Sequence, residues 1–384
     1  MPAAVPPVPL PVSLLVFSFM GTSFAVPGWT IHAPEARLPP RASTLTRMDA
    51  LAGLLDGPRA RGAFLLRMVM APPWSVRIED RAPLCLMCVT GGEAWIVPGH
   101  PGAGGPVRLR TGDVAVVRGP HPYTVAGAPD TPPQAVVEPG GACRTLHGEP
   151  LEETMRLGVR TWGNAAGGPD TLLVGTYRME SEVGRRLLDA LPPLLHLPAD
   201  SWTCPLTPVL EDEISRDEPG QSVVLDRTLD LLLIASVRAW FSRPEAAAPA
   251  WYRAMGDPVV GTALRLLHDD PAHPWTVAAL AAEAGVSRAA LARRFTELVG
   301  EPPMAYLTGW RLTLAADLLR ETGTTVEAVA RRVGYGGAFA FSAAFKRERG
   351  VSPQEYRPGV RRNPRVPERH ADSPRRAPVS TLSP

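Results

Sequence analysis

Residues 276–357 carry one pattern twice, and few folds have a use for it. Thr276, Val277, Leu280, Ala281 and Gly285 recur as Thr325, Val326, Val329, Ala330 and Gly334. Leu291, Phe295, Gly300, Pro303 and Tyr306 then recur as Phe341, Phe345, Gly350, Pro353 and Tyr356. The offset grows by one residue between the two sets, so the second copy has one extra residue close behind its turn glycine. Each copy reads as two short helices around a tight turn. Val277, Leu280, Ala281 and Ala284 make an amphipathic helix, and Gly285 can take the left-handed conformation that ends it. Ser287 caps the next helix by accepting an orphan amide. There Leu291, Phe295 and Leu298, at i, i+4 and i+7, are expected to pack inward. Arg288, Ala289, Ala292, Arg293 and Thr296 are left outside. The second copy runs from Val326 through a turn at Gly334 and Tyr335 to a helix over 338–348.

Between the copies, Leu307, Trp310, Leu314 and Leu318 are at helical spacing over 304–319, and Pro303 stands near the helix start, where a missing amide costs little. A helix of that length spans roughly 24 Å, and successive major-groove faces of DNA lie about 34 Å apart. Such a rod would set two outward helix faces into neighbouring grooves. A plain helical bundle has no need of the same turn chemistry twice, so the pattern points to a double helix-turn-helix.

The region resembles the AraC/XylS family of bacterial transcriptional regulators. The matching residues are Leu291, Arg293 and Phe295; Gly300 and Pro303; Tyr306, Leu307, Arg311, Ala315, Leu318 and Leu319; Val329, Ala330, Gly334 and Tyr335; Phe341, Phe345, Lys346 and Arg347; and Gly350, Ser352, Pro353, Tyr356 and Arg357. The resemblance implies a DNA-binding domain over 256–357 that grips double-stranded promoter DNA and, by analogy, recruits RNA polymerase as an activator. Its first recognition helix would present Ser287, Arg288, Ala289, Ala292, Arg293 and Thr296. The second would present Gly337, Ala338, Phe339, Ser342, Ala343, Lys346 and Arg347. The chain departs from the family here: polar residues usually stand at the positions of Gly337 and Phe339, and an arginine at that of Ala343. One bidentate arginine on guanine gives about 1–3 kcal/mol of discrimination. The first helix, through Arg288 and Arg293, is therefore expected to read most of the sequence, while Lys346 and Arg347 of the second hold the backbone.

With 384 residues the chain has room for two domains, each with a core. Its net charge of +2 argues against a binder held to nucleic acid by charge alone and favours local contacts. Lys346 is the sole lysine, so nearly every positive charge is an arginine. Residues 1–47 are Pro-rich and apolar. Residues 10–20 resemble the core of a signal peptide, but no basic residue precedes them and the run is too short to span a bilayer. This segment is expected to be a disordered extension, with Met48 as an alternative start, and the protein to be cytoplasmic. Residues 358–384, rich in Pro and Arg, read as a disordered basic tail.

Short runs at 64–70, 75–78, 84–89, 93–97, 107–109, 114–117 and 123–125, separated by Pro, Gly and Asp, predict a many-stranded barrel or jelly roll. Gly91 with Gly92, and Thr111 with Gly112 and Asp113, look like hairpin turns. This part resembles the cupin-type sensor domain of one branch of the same family through Met48 and Asp49, residues 63–74, Gly92, Glu93 and Trp95, Leu109, Gly112 and Asp113, and Arg118 and His121. Gly175, Tyr177 and Leu191 to Leu195 continue the match. The expected fold class is thus α+β and multi-domain: an N-terminal cupin-like barrel or jelly roll with following helices over 48–242, a linker over 243–255, and an all-α double helix-turn-helix.

Cupin enzymes hold a metal with two or three His and a Glu. The strand at 84–89 has no His, and one imidazole, His121, does not hold a catalytic metal. Cys85 and Cys88 are three apart on a strand, so they point to opposite faces and cannot converge on one ion. No metal, cofactor or enzymatic activity is expected; the alternatives are a cupin metalloenzyme with an accessory nucleic-acid-binding region and a DNA-binding protein without a ligand input. Trp74, Trp95, His121 and Tyr123 are candidates for the wall of a small-molecule effector site, with core packing as their alternative role. Leucines at helical spacing predict helices over 182–195 and 222–241. The second, with Leu225, Leu229, Leu232, Leu233, Ser236 and Trp240 on one stripe, either covers the barrel or pairs with a copy of itself, and the family resemblance implies a homodimer here.

Overall fold

The computed structural model describes residues 64–357, apart from 101, 103, 178–180, 245, 247 and 322. The expectations for 1–47, Met48, Asp49, residue 63 and 358–384 lie outside these residues. The described part belongs to one compact unit. Its first portion holds thirteen strands among the described residues: β1 Phe64–Met70, β2 Ser75–Ile78, β3 Leu84–Gly91, β4 Glu93–Pro98, β5 Val107–Arg110, β6 Val114–Arg118, β7 Tyr123–Ala126, β8 Ala135–Val137, β9 Cys143–Thr145, β10 Arg156–Gly158, β11 Thr161–Gly163, β12 Asp170–Tyr177 and β13 Leu194–Leu197. They form two sheets, ordered β10-β11-β1-β12-β3-β6-β13 and β5-β4-β7-β2-β8-β9. Pairing is antiparallel except for β1 with β11 and β2 with β8.

This is the cupin-like, jelly-roll arrangement the strand pattern predicts, with one correction. β3 and β6 lie in the first sheet while β4 and β5 lie in the second. Gly92 and Gly112, both at positive φ, therefore turn corners between sheets instead of closing hairpins. β3 is apolar from Leu84 to Val89 because both its faces are covered there. Cys85, Met87 and Val89 enter the core between the sheets, where Met70, Trp74, Ile96, Leu109 and Val125 also lie. Leu84, Leu86 and Cys88 face the other way, toward helices. The two cysteines are thus on opposite faces, as the strand period requires.

Eleven helices follow among the described residues: α1 Glu182–Ala190, α2 Thr207–Ile214, α3 Gln221–Phe241, α4 Ala250–Ala254, α5 Val260–Asp269, α6 Val277–Glu283, α7 Arg288–Val299, α8 Pro303–Arg320, α9 Val326–Arg332, α10 Ala338–Arg349 and α11 Pro353–Tyr356. The helix expected over 182–195 stops at Ala190. Pro192 and Pro193 lack the amides to extend it, and β13 pairs with β6 immediately afterwards. α3 buries Leu225, Leu229, Leu232, Leu233 and Ser236 against the first sheet, while Trp240 is half-buried. Two details of β12 seat it. A Cβ on Gly175 would lie 2.8 Å from the Leu229 methyls, and the buried Tyr177 hydroxyl donates to the Leu229 carbonyl at 2.8 Å. Within the stretch 243–255, α4 buries Trp251 and Ala254.

One apolar cluster runs from the first sheet through α3 and α5 into α6, α7 and the first half of α8, ending at Tyr306, Leu307 and Trp310. A separate cluster of Leu312, Ala315, Ala316, Leu319, Val329, Ala330, Val333, Phe341, Ala344 and Phe345 unites the rest of α8 with α9 and α10. The central helix is therefore buried on more than the single stripe its leucines suggested: Leu314 and Leu318 are only half-buried, because each end of α8 serves a different core.

Candidate nucleic-acid interface

Both helix-turn-helix units are built by the same local chemistry. Thr276 caps α6 by accepting from the Ala279 amide at 3.1 Å, and Thr325 caps α9 from Ala328 at 3.1 Å. Gly285 and Gly334 end these helices at φ 68° and 83°, conformations that favour glycine. At Gly334 a Cβ would also meet the Ala272 carbonyl at 2.6 Å, so this turn packs against the loop after α5. Ser287 caps α7, accepting from Ala290 at 3.2 Å. The matching position of the second unit is Gly337, which has no side chain to cap with. There the Glu327 carboxylate reaches from α9 and accepts from the Ala338 amide at 2.9 Å.

On α7, Leu291 and Phe295 are buried, while Ser287, Arg288, Ala289, Arg293 and Thr296 are exposed and Ala292 is half-buried. Leu298, expected inside, is 38% exposed: it lies in the last turn, beyond the neighbours that cover Phe295. Arg293 is near Glu297 at 3.7 Å, with both side chains largely in solvent. Its neighbour Arg294 is committed elsewhere, donating to Asp257 at 2.6 Å, and Asp257 in turn accepts from the Val259 and Val260 amides at the start of α5. On α10, Phe341, Ala344 and Phe345 are buried. Phe339, Ala343, Lys346 and Arg347 are exposed, and Gly337, Ala338 and Ser342 are half-buried. Arg311 ties α8 to the loop after α5, donating to the carbonyls of Pro271 at 2.6 Å and His273 at 2.8 Å.

A second polar cluster joins the sheet portion to the helix-turn-helix pair. The Asp317 carboxylate of α8 accepts from the Glu182 amide at 2.6 Å and the Val183 amide at 3.1 Å, while Ser181 accepts from Gly184. Together they satisfy the first amides of α1, which no residue of that helix can. The buried Glu182 carboxylate accepts from the Tyr356 hydroxyl at 2.7 Å and from Arg349 at 2.8 Å, with Arg185 at 3.2 Å. Burial alone would raise its pKa; the hydrogen bonds from Tyr356 and Arg349 and the charges of Arg185 and Arg349 bring it below the usual carboxylate range. Asp317 is raised, chiefly by burial. Arg186 lies over the rings of Tyr306 and Trp310, 5.0 and 5.9 Å from their centroids. One helix of the sheet portion thus touches the first unit through Arg186 and the second through Glu182. Glu182 at a helix start and Tyr356 in the repeat were legible in the sequence, but no local signal joins residues so far apart in the chain.

A family model described as a cupin matches residues 49–242, and one described as a helix-turn-helix domain matches residues 280–359. A putative AraC-like transcription regulator of Streptomyces lividans is 32% identical over 318 residues, 81% of this chain and 98% of that one. The chain belongs to the AraC family of transcription regulators. A putative AraC-like regulator of Streptomyces antibioticus is likewise 32% identical, over 327 residues, covering 81% of this chain and 98% of its own. Among solved structures, the chain is similar to an AraC-type transcriptional regulator from Chromobacterium violaceum, with 26% identity, 27% of this chain and 92% of that one covered, and a TM-score of 0.26.

In this AraC-family chain the four side chains expected to wall an effector site do not face one space. Trp74 and Tyr123 are buried in the core between the sheets, and the Trp74 indole donates to Asp170 at 2.7 Å. Trp95 lies on the opposite face of β4 from the buried Ala94 and Ile96, with Arg108 over its ring at 6.0 Å. His121 is exposed and stacks on His100 at 4.2 Å. The period-two alternation of β4 and the Gly119–Pro120 turn before His121 separate them. Among the described residues no three His, Cys, Asp or Glu side chains are gathered as a metal site, and no helix is long and apolar enough to cross a membrane.

Proposed function

We propose that the chain is a sequence-specific promoter-binding regulator in which α7 and α10 enter successive major grooves on one face of the duplex, and in which the sheet portion governs their relative setting through α1. The observation that carries this reading is the paired set of outward helix faces, Arg288 and Arg293 on one and Lys346 and Arg347 on the other, held by the single 18-residue helix α8, which spans about 27 Å. In this reading α7 reads base edges and α10 anchors phosphates. The sheet portion senses a small-molecule signal, which shifts transcription only through its different affinities for DNA-competent and incompetent states. The family points to activation by recruiting RNA polymerase. It also points to a homodimer through α3, whose outward Val223 and Leu231 are 61% and 53% exposed.

Selection of the full-length protein against random duplex DNA, followed by anisotropy titration of the enriched sequence, tests the reading. A discrete motif with two half-sites separated by about one helical turn is expected. No preference over random competitor at low and moderate salt overturns it, and a rise in target expression on deletion of the gene reverses the proposed sign of regulation.

A further inference from the structure

The two recognition helices carry one stripe with opposite chemistry. Leu291 and Phe295 stand in the first unit where Phe341 and Phe345 stand in the second, and on that register Ala289 corresponds to Phe339 and Arg293 to Ala343. The first helix thus offers a small residue in its first turn and a guanidinium in its second. The second helix offers a phenyl ring and then a methyl group. Phe339 is 90% exposed, more than any other large apolar side chain among the described residues. The core beneath it is already filled by Phe341 and Phe345, so the ring has no partner within its own unit.

Its surroundings indicate what covers it. Ala343 and Lys346, four and seven residues on, lie on the same helical stripe, and Arg347 adjoins it; all are exposed. Ahead of the ring, Gly336 and Gly337 leave open space where side chains would stand, which lets the backbone at this end come close to a ligand. An apolar tip in front of two cations fits a groove whose walls are phosphates and whose floor is base edges. Phe339 and Ala343, which fill the first two turns of the stripe, have no side-chain group able to hydrogen-bond to a base. The feature of the major-groove floor that an apolar surface recognises is the C5-methyl group of thymine.

We propose that Phe339, with Ala343 beside it, reads thymine methyl groups in the operator half facing α10, making this helix a specificity element as well as an anchor. The inference rests on the promoter-binding reading above and refines it. The test uses the full-length protein and its selected duplex, with each thymine of that half replaced in turn by uracil, which removes the methyl and leaves the hydrogen-bonding edges intact. The half facing α10 is identified as the one whose preferences survive Arg293→Ala. Uracil at the contacted position is expected to weaken wild-type binding about four-fold, the worth of one buried methyl group. In Phe339→Ala that penalty disappears and the thymine preference relaxes, while the other half-site keeps its selectivity. Phe339→Leu retains part of the penalty.

A wild-type protein indifferent to uracil throughout that half, or an equal penalty in wild type and Phe339→Ala, overturns the proposal and leaves the promoter-binding reading standing. So does a Phe339→Ala protein that binds DNA normally and fails only in transcription, since the ring would then serve a protein partner. Failure to select any sequence removes both readings together.

Discussion

Arg293 and Arg294 are adjacent and chemically identical, yet the fold gives them different work. Arg294 is held by Asp257 at 2.6 Å, whereas Arg293 has a solvent-exposed partner at 3.7 Å, a contact of little energetic value. Arg293 is therefore free to leave Glu297 for a base. Arg293→Ala is expected to cost about 1–3 kcal/mol on the selected sequence and to relax one position of the motif. Lys346→Ala should weaken all sequences alike and lower the slope of log affinity against log salt by about one. Salt titrations on matched and scrambled duplexes separate the two, and equal sequence dependence for both variants refutes the division of labour.

His268 gives a pH signature at the same scale. Its ring bonds the Tyr306 hydroxyl at 2.7 Å, and burial, aided by Arg186, pushes its pKa from 6.5 to about 3. The folded protein keeps the ring neutral while the unfolded chain protonates it near 6.5. Stability from this residue is thus intact above pH 6.5 and falls as pH drops toward 3, by up to about 1.4 kcal/mol per unit. His268→Gln is expected to lower stability at pH 8 and flatten the acid limb in urea melts; an unchanged acid slope contradicts the assignment. The Ser287 cap was legible in the sequence because capping is local, whereas Thr276 and Thr325 stood out only as repeat positions and their caps emerge from the structure. Leu298 was misread because its exposure depends on what lies beyond the helix end.

At the scale of elements, the strands of the first portion were legible from β1 to β7 because turn residues punctuate them and apolar runs fill them. What joins them was not. The glycines of a hairpin and of a sheet-to-sheet corner look alike in sequence, and only pairing distinguishes Gly92 and Gly112 as corners. The short strands β8 to β11 are too brief for any period to register, and β13 hid behind leucines spaced as a helix would space them until two prolines intervened. The seat of α3 on β12 was visible only as a matched Gly175. Its cause is steric, and it makes a prediction: Gly175→Ala presses a methyl against the movable ends of Leu229, while Gly175→Val must shift the helix. The valine variant is expected to lose about 1–3 kcal/mol, read as a lowered urea midpoint, and the alanine variant less. Equal stability of all three proteins would mean that α3 does not lie against this strand.

Over the whole molecule, the division of the core matters more than the division of the sequence. The first helix-turn-helix unit shares its apolar cluster with α3 and the sheet. The second has a cluster of its own and meets the sheet portion through polar contacts, chiefly Glu182 with Arg349 and Tyr356 and Asp317 with the α1 amides. Dispersion and burial hold the first unit whatever happens at α1. The second depends on a few hydrogen bonds whose removal leaves buried charge unpaired, a costly state. Glu182→Ala is therefore expected to loosen α9, α10 and α11 selectively. Losing the buried partner of Arg349 should lower their local opening free energy by about 1–3 kcal/mol, raising amide exchange there roughly five- to one-hundred-and-fifty-fold by the same conversion. Exchange in α5, α6 and α7 should stay as in wild type. Glu182→Gln, which keeps the shape and can still accept from Tyr356, should have the smaller effect. Exchange measured by mass spectrometry on the full-length chain decides the matter. A uniform rise across both units would show that they open together, so that α1 could not set one recognition helix against the other.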